Sequence, residues 1–294
     1  MSRIRRLIQV LFTLLTNAYL LFPFGPVIYQ GPLKGICHPG LNCYSCPAAL
    51  LGCPIGAFQN FMANIRLSLA SGVPQLGTIV VGYLGFIGSL VGRFPCAWLC
   101  PFGLIQDLLY KIPVRKFKLP EFLKHVKYVV LVLLVLILPL FWVDPAGLGT
   151  PWFCKLICPA GTLLGAFPLL LVKPSLWQTL SFYFWNKVTI LILIIAWSMV
   201  TSRPFCRVLC PLGAFYGLFN RYSLIRLNYD EDKCVHCHAC YRQCPMGVRP
   251  YQNPDDTNCI RCLKCLEACR FGALSFNMRS LPATPSRSIP KREA

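Results

Sequence analysis

Five apolar stretches, Leu7 to Ile28, Leu76 to Gly92, Val126 to Val143, Ala160 to Val172 and Leu176 to Val200, limit what this chain can become. A hydrocarbon core holds no water to satisfy backbone N–H and C=O groups, so a segment that spans it must be a helix or part of a closed barrel. A helix needs about 20 residues to cross ~30 Å. Four of the stretches approach that length, and the run from Ala160 to Val172 does not. The reading is therefore four transmembrane helices, with Ala160 to Val172 re-entrant or interfacial. Composition points the same way: 55% of residues are hydrophobic, 13% are charged, and mean hydropathy is +0.56, too apolar for an ordinary soluble domain. The net charge of +19 would suit nucleic acid if it lay on one soluble surface. Here apolar runs separate the basic residues, so the expected neighbours are the lipid bilayer and an acidic partner, with no role in binding nucleic acid.

Positive charge sets the expected orientation. Arg3, Arg5 and Arg6 precede the first stretch and no small-residue cleavage site follows, so that stretch is read as a retained helix starting inside. Arg93, Lys111, Arg115, Lys116, Lys118, Lys124 and Lys127 crowd the segment after the second stretch, whereas Gln30 to Gln75 holds only Lys34 and Arg66. Gln30 to Gln75 is thus expected outside as a loop, Arg93 to Lys127 inside, Asp144 to Lys173 outside, and both termini on the cytoplasmic side of a multi-pass inner membrane protein. Lys187 falls within the fourth expected helix and must snorkel or face the bundle interior.

Eighteen cysteines are too sparse for a disulfide-stapled mini-protein in a chain of 294 residues. Cys234, Cys237, Cys240 and Cys244 follow C-x2-C-x2-C-x3-C-P, and Cys259, Cys262, Cys265 and Cys269 repeat the spacing with Arg270 in place of the proline. This is the pattern of bacterial two-cluster ferredoxins, in which the fourth cysteine of each run ligates the other cluster. Cys234, Cys237, Cys240 and Cys269 are therefore expected to hold one [4Fe-4S] cluster, and Cys259, Cys262, Cys265 and Cys244 the second. A pair of structural zinc sites would not need this double run. His236 and His238, between the ligands, read as exposed loop residues.

The remaining cysteines carry an internal repeat. Gly92-RFPCAWLCPFGLIQDLL, Thr150-PWFCKLICPAGTLLGAF and Ser202-RPFCRVLCPLGAFYGLF each contain C-x3-C-P-x-G before an apolar stretch, and Cys53-PIGAFQNF is a degenerate copy whose partner is Cys46 or Cys43. Cysteines four residues apart can converge on one site, proline suits the first turn of a new helix, and that helix N-terminus favours a thiolate. Topology sorts the copies into an inner set, Cys96, Cys100, Cys206 and Cys210, and an outer set, Cys53, Cys154, Cys158 and either Cys46 or Cys43. Each set is expected to hold a further [4Fe-4S] cluster, against the alternatives of dithiols, outer-face disulfides or simple packing. The chain then divides into a first membrane half over 1–110, a second over 111–220, an α+β two-cluster ferredoxin domain over 221–278 and a disordered basic tail over 279–294. Cys37 stays unassigned, and His38 beside it reads as a solvated loop histidine.

At Cys96-AWL-Cys100-Pro101, Cys206-RVL-Cys210-Pro211 and the tandem runs from Cys234 to Cys269, the chain resembles the membrane polyferredoxins of the NapH type, with related domains in NosR and CcoG proteins. The resemblance implies four transmembrane helices, cytoplasmic [4Fe-4S] clusters and electron exchange with menaquinol or ubiquinol. The outer set, Cys37 to Cys53 with Cys154 and Cys158, departs from it and favours a broader group of membrane 4Fe-4S proteins. The expected function is electron transfer between a quinone pool or outer-side partner and a cytoplasmic redox partner. A redox-dependent assembly factor and a redox sensor are the rivals. Arg242, Arg249, Arg261, Lys264 and Arg270 would dock an acidic redox protein, and His125, Asp107 or Tyr110 would meet a quinone.

Overall fold

The computed structural model describes residues 2–19, 26–70, 72, 75–117, 119–144 and 148–278. The expected basic tail over 279–294 lies outside the described residues, as do residues 20–25 of the first apolar stretch. The described chain is mostly helical. Its membrane part contains α1 (Ser2–Thr16), α2 (Pro54–Ala70), α3 (Gln75–Val91), α4 (Phe94–Trp98), α5 (Pro101–Leu109), α6 (Glu121–Phe141), α7 (Trp152–Leu156), α8 (Gly161–Val172), α9 (Phe182–Val200), α10 (Pro204–Val208) and α11 (Pro211–Phe219). The C-terminal part adds β1 (Ile225–Tyr229), α12 (Ala239–Arg242), α13 (Lys264–Ala268) and β2 (Leu274–Met278).

Two helices, α6 and α9, are long and apolar enough to cross a membrane, while the apolar helices at Gly77–Val91 and Gly161–Val172 are shorter. The third and fourth expected spans thus have the required length, and α3 is a shorter match to the second. The first stretch departs from expectation, because α1 ends at Thr16. Local chemistry explains the stop: Thr16 Oγ1 donates to Phe12 O at 2.8 Å and Asn17 Nδ2 to Thr13 O at 2.9 Å, so side chains take over the last carbonyls. The chain then folds back, with Leu50 N donating to Thr16 O.

α1 is also polar on its inner side. Arg5 and Gln9, one helical turn apart, are buried, while Leu7, Leu11 and Leu14 are exposed. Gln9 Nε2 donates to Cys100 O at 2.7 Å and Arg5 Nη2 to Asp107 at 3.2 Å. Exposed apolar side chains continue over α3 (Ile79, Phe86), α6 (Val129, Leu133) and α9 (Ile192, Leu193). An apolar outside around a polar interior is the arrangement a lipid environment demands.

The expected outer loop from Gln30 to Gln75 is corrected by α2, which packs on α3 and α6. Gln59, Asn60, Asn64 and Arg66 interrupt its apolar pattern and hide it from a search for apolar runs. Its start was nonetheless legible, since Cys53-Pro54 is the motif that opens a helix. The short run at Ala160 to Val172 forms α8, too short to span. In α6 and α8 the backbone widens to π-helix over Leu131–Ile137 and Gly161–Ala166, before Pro139 and Pro168. Proline cannot donate to the carbonyl four residues back and crowds it, and a π turn absorbs the mismatch.

In the C-terminal part β1 and β2 pair antiparallel, with Leu227 opposite Phe276, as an α+β ferredoxin domain requires. This part is held to the helices by its 256–261 segment. Asn220 Nδ2 donates to Asp256 O (2.8 Å) and Cys259 O (2.9 Å), Trp98 Nε1 to Arg261 O (3.1 Å), and Lys127 Nζ to Asn258 Oδ1 (2.5 Å).

Candidate metal centres

The inner cysteines come together through one device used twice. Cys100 and Cys210 are the N-caps of α5 and α11, each followed by proline in the first turn. There the free N–H groups of the helix point at the sulfur, and Gly213 N lies 3.4 Å from Cys210 Sγ. Cys96 and Cys206 sit on the preceding turns, α4 and α10, and all four are buried. The two copies are locked reciprocally. Arg93, three residues before Cys96, donates through Nη2 to Cys206 O at 2.9 Å. Arg203, three residues before Cys206, donates through Nη1 to Cys96 O at 2.8 Å. Both guanidinium groups are fully buried. The motif glycines make room for them: a Cβ on Gly213 would stand 2.6 Å from Arg93 Nη2, and one on Gly103 would stand 3.0 Å from Cys96 O and 3.5 Å from Arg203 Nη1. Sequence reasoning missed these arginines, although Arg93 and Arg203 align in the repeat and Pro151 replaces them in the third copy.

Asp107 completes the lock. Its two oxygens accept Arg203 Nε and Nη2, each at 2.6 Å, and Arg5 Nη2 approaches at 3.2 Å. Burial alone would raise the Asp107 pKa, but the Arg203 and Arg5 cations outweigh it and hold the carboxyl at about 2. Asp107, one of the three residues expected to meet a quinone, is thus held in an ion pair. Gln106 Nε2 adds a 3.0 Å contact to Cys206 Sγ.

The outer cysteines line a cavity of about 130 Å³. Its wall holds Cys43, Cys53, Cys154, Cys158 and Lys187. Of the two alternatives for the fourth member the structure brings in Cys43, whose sulfur lies against α8 so closely that a Cβ on Gly165 would stand 3.0 Å from it. Cys46 is buried outside that wall. Lys187 turns inward onto the cysteines, which resolves its two expected placements. Gly161 N lies 3.4 Å from Cys158 Sγ, repeating the helix-start geometry of the inner set.

Between the sets runs the segment from Cys37 to Cys43. Leu41 N lies 3.4 Å from Cys100 Sγ of the inner set, while Cys43 belongs to the outer cavity. Two residues of extended chain reach at most about 7 Å, so the two sets are near neighbours. Cys37 is buried in the core and does not line the outer cavity. His38 is fully buried, accepts Gly40 N at 2.8 Å on Nδ1 and packs 5.2 Å from the Phe12 ring, which overturns its reading as a solvated histidine.

In the ferredoxin part the crossed pairing is present in space. Cys234, Cys237 and Cys240 share a hollow with Cys269, and Cys259, Cys262 and Cys265 share one with Cys244. His236 and His238 flank Cys237 with φ of 51° and 57°, and Arg261 and Leu263 flank Cys262 with φ of 52° and 61°. These left-handed residues curl each loop around its cysteines, a conformation whose N–H groups favour anions. Burial pushes the Cys259 thiol up to about 12 and raises that of Cys244, so both need a compensating metal charge to ionise. His236 and His238 are exposed, as expected. Arg261 is not: it is buried and donates to Ile225 O and Asn220 O, which removes it from any docking face.

No group of three or more His, Cys, Asp or Glu side chains among the described residues is tight enough for a single metal ion. The outer cysteines and both ferredoxin sets are spread around hollows, and four thiolates so placed suit a multi-iron cluster. Fold and donor sets together define a ferredoxin-type iron-sulfur protein with an apolar helical part. Comparison with known proteins identifies the group. A 4Fe-4S binding domain matches residues 74–120, 129–173 and 184–228, and a second 4Fe-4S binding domain matches 227–249. An uncharacterized protein of Methanocaldococcus jannaschii is 30% identical over 76% of this chain and 86% of its own. The methylamine utilization ferredoxin-type protein MauN of Methylobacillus flagellatus is 26% identical over 65% of this chain and 60% of its own. The ferredoxin-type protein NapH of Haemophilus influenzae is 28% identical over 57% of this chain and 51% of its own. No solved structure matches the chain. The chain belongs to the NapH-type family of 4Fe-4S ferredoxin-like membrane proteins.

Proposed function

We propose that this protein conducts electrons between the outer side of the inner membrane and a cytoplasmic redox partner through four [4Fe-4S] sites. The observation that carries the reading is the unbroken series of cysteine sets. The outer set (Cys43, Cys53, Cys154, Cys158) meets the inner set (Cys96, Cys100, Cys206, Cys210) through Leu41 to Cys43. The inner set meets Cys244, Cys259, Cys262 and Cys265 across the clasp of Arg93, Trp98 and Asn220. Cys234, Cys237, Cys240 and Cys269 end the series at the exposed face, where Cys237 and Phe271 are accessible.

Bound at these positions, [4Fe-4S] clusters supply one-electron redox chemistry. The chain's own residues hold and tune them: the N–H groups of helix starts and the inward Lys187 favour anionic sulfur, and the arginine clasp fixes the two halves at one spacing. Four transmembrane passes with both termini inside, electron exchange with menaquinol or ubiquinol or an outer-side partner, and an acidic cytoplasmic partner docked near Arg242 and Arg270 complete the reading.

Iron analysis of anaerobically purified protein tests it. Four sites require about sixteen irons per chain, and two ferredoxin sites alone about eight. Cys154→Ser is expected to stop electron transfer across proteoliposomes while leaving reduction of the ferredoxin clusters intact. Unchanged transfer in that variant refutes the outer site.

A further inference from the structure

We propose that the cleft between α1, α5 and the ferredoxin domain binds the phosphate headgroup of an anionic phospholipid. The cavity there has a volume of about 330 Å³. Arg5, Arg6, Lys111, Arg242 and Lys264 line it against one carboxylate, Asp107, which is already engaged by Arg203 and Arg5. Five cations around one neutralised acid select an anion, and guanidinium groups match phosphate oxygens in pairs.

The rim decides between a lipid and a soluble anion. Leu104 and Leu108 of α5 form part of the lining beside the cations, and Leu108 is 62% exposed. A soluble phosphate gains nothing from that apolar edge, whereas acyl chains running from a bound headgroup cover it. A quinone ring carries no charge to answer five cations. The placement also agrees with the chain's charge: the cleft lies at the arginine-bearing start of α1, the end expected at the cytoplasmic surface, where anionic lipids attract basic segments. Cys244 and Pro245 form part of the same wall. A headgroup seated there places its negative charge beside the cysteine set that adjoins the inner site.

Native mass spectrometry of the full chain, released from nanodiscs of phosphatidylcholine and phosphatidylglycerol, tests the site by retained lipid, independently of any cluster. One phosphatidylglycerol is expected to remain. With about a fivefold contribution per cation, the R242Q/K264Q variant should weaken retention about 25-fold. Arg221→Gln, which removes an exposed cation outside the cavity, should leave retention unchanged. Should the double variant lose its fold, Lys111→Gln should show the single-cation loss of about fivefold. Equal retention of phosphatidylcholine, undiminished phosphatidylglycerol in the charge variants, displacement by inorganic phosphate at matching concentration, or displacement by a menaquinone analogue would each overturn the proposal.

Discussion

Replacing Asp107 with Asn tests whether the buried arginines hold the two cysteine motifs in register. Asp107 accepts two 2.6 Å bonds from Arg203, whose side chain is fully buried, and a 3.2 Å contact from Arg5. Asparagine keeps the shape but offers one neutral acceptor where the carboxylate offered two charged ones. Arg203 then retains its bond to Cys96 O and loses its counter-charge inside the protein. Removing one partner of a buried pair costs about 3–5 kcal/mol. The residual amide bond and the part-exposure of Asp107 place the expected loss near the lower end, about 3 kcal/mol, or roughly a hundredfold in the folded-to-unfolded ratio. Unfolding of the purified protein in detergent measures it. Because Arg203 sits on the backbone of the inner set, iron bound at Cys96, Cys100, Cys206 and Cys210 should be lost before iron in the ferredoxin part. A variant within about 0.5 kcal/mol of the parent, the usual range for an inconsequential surface change, refutes the reasoning. The pH dependence has a defined sign. A carboxyl held at about 2 instead of 3.8 contributes stability that is complete above pH 4 and is lost as the pH falls toward 2.

Other expectations follow from the same geometry. Cys43→Ser should lower the iron content by the outer site, while Cys46→Ser should not, as measured by iron and labile sulfide per chain. Gly213→Ala places a methyl 2.6 Å from Arg93 Nη2 and should displace the clasp, with a stability loss of about 1–3 kcal/mol in the same unfolding assay. Stripping the iron should leave the half-buried Cys244 and Cys259 as neutral thiols and loosen the ferredoxin part, seen as faster hydrogen exchange at β1 and β2 with little change in α6 and α9.

What could be read before folding was set by short-range geometry. Cysteines three residues apart can face one point, so the groups Cys234, Cys237, Cys240 and Cys259, Cys262, Cys265 were legible in the spacing, and the structure lays Cys269 beside the first and Cys244 beside the second. Cysteine followed by proline opens a helix at Cys53, Cys100, Cys158 and Cys210, whereas after Cys46 and Cys244 the same pair enters a turn. Apolar length likewise identified α6 and α9 as membrane-crossing candidates. Packing decided the rest, because it joins residues that no local spacing relates. It chose Cys43 over Cys46 by laying α8 against one of them, turned Lys187 inward, buried His38 and Arg261, and made a helix of residues 54–70 where the apolar count showed a loop. It also brought Arg93 to Cys206 and Arg203 to Cys96. A buried guanidinium is tolerable only where acceptors already wait, and those acceptors exist only once the two motifs have met.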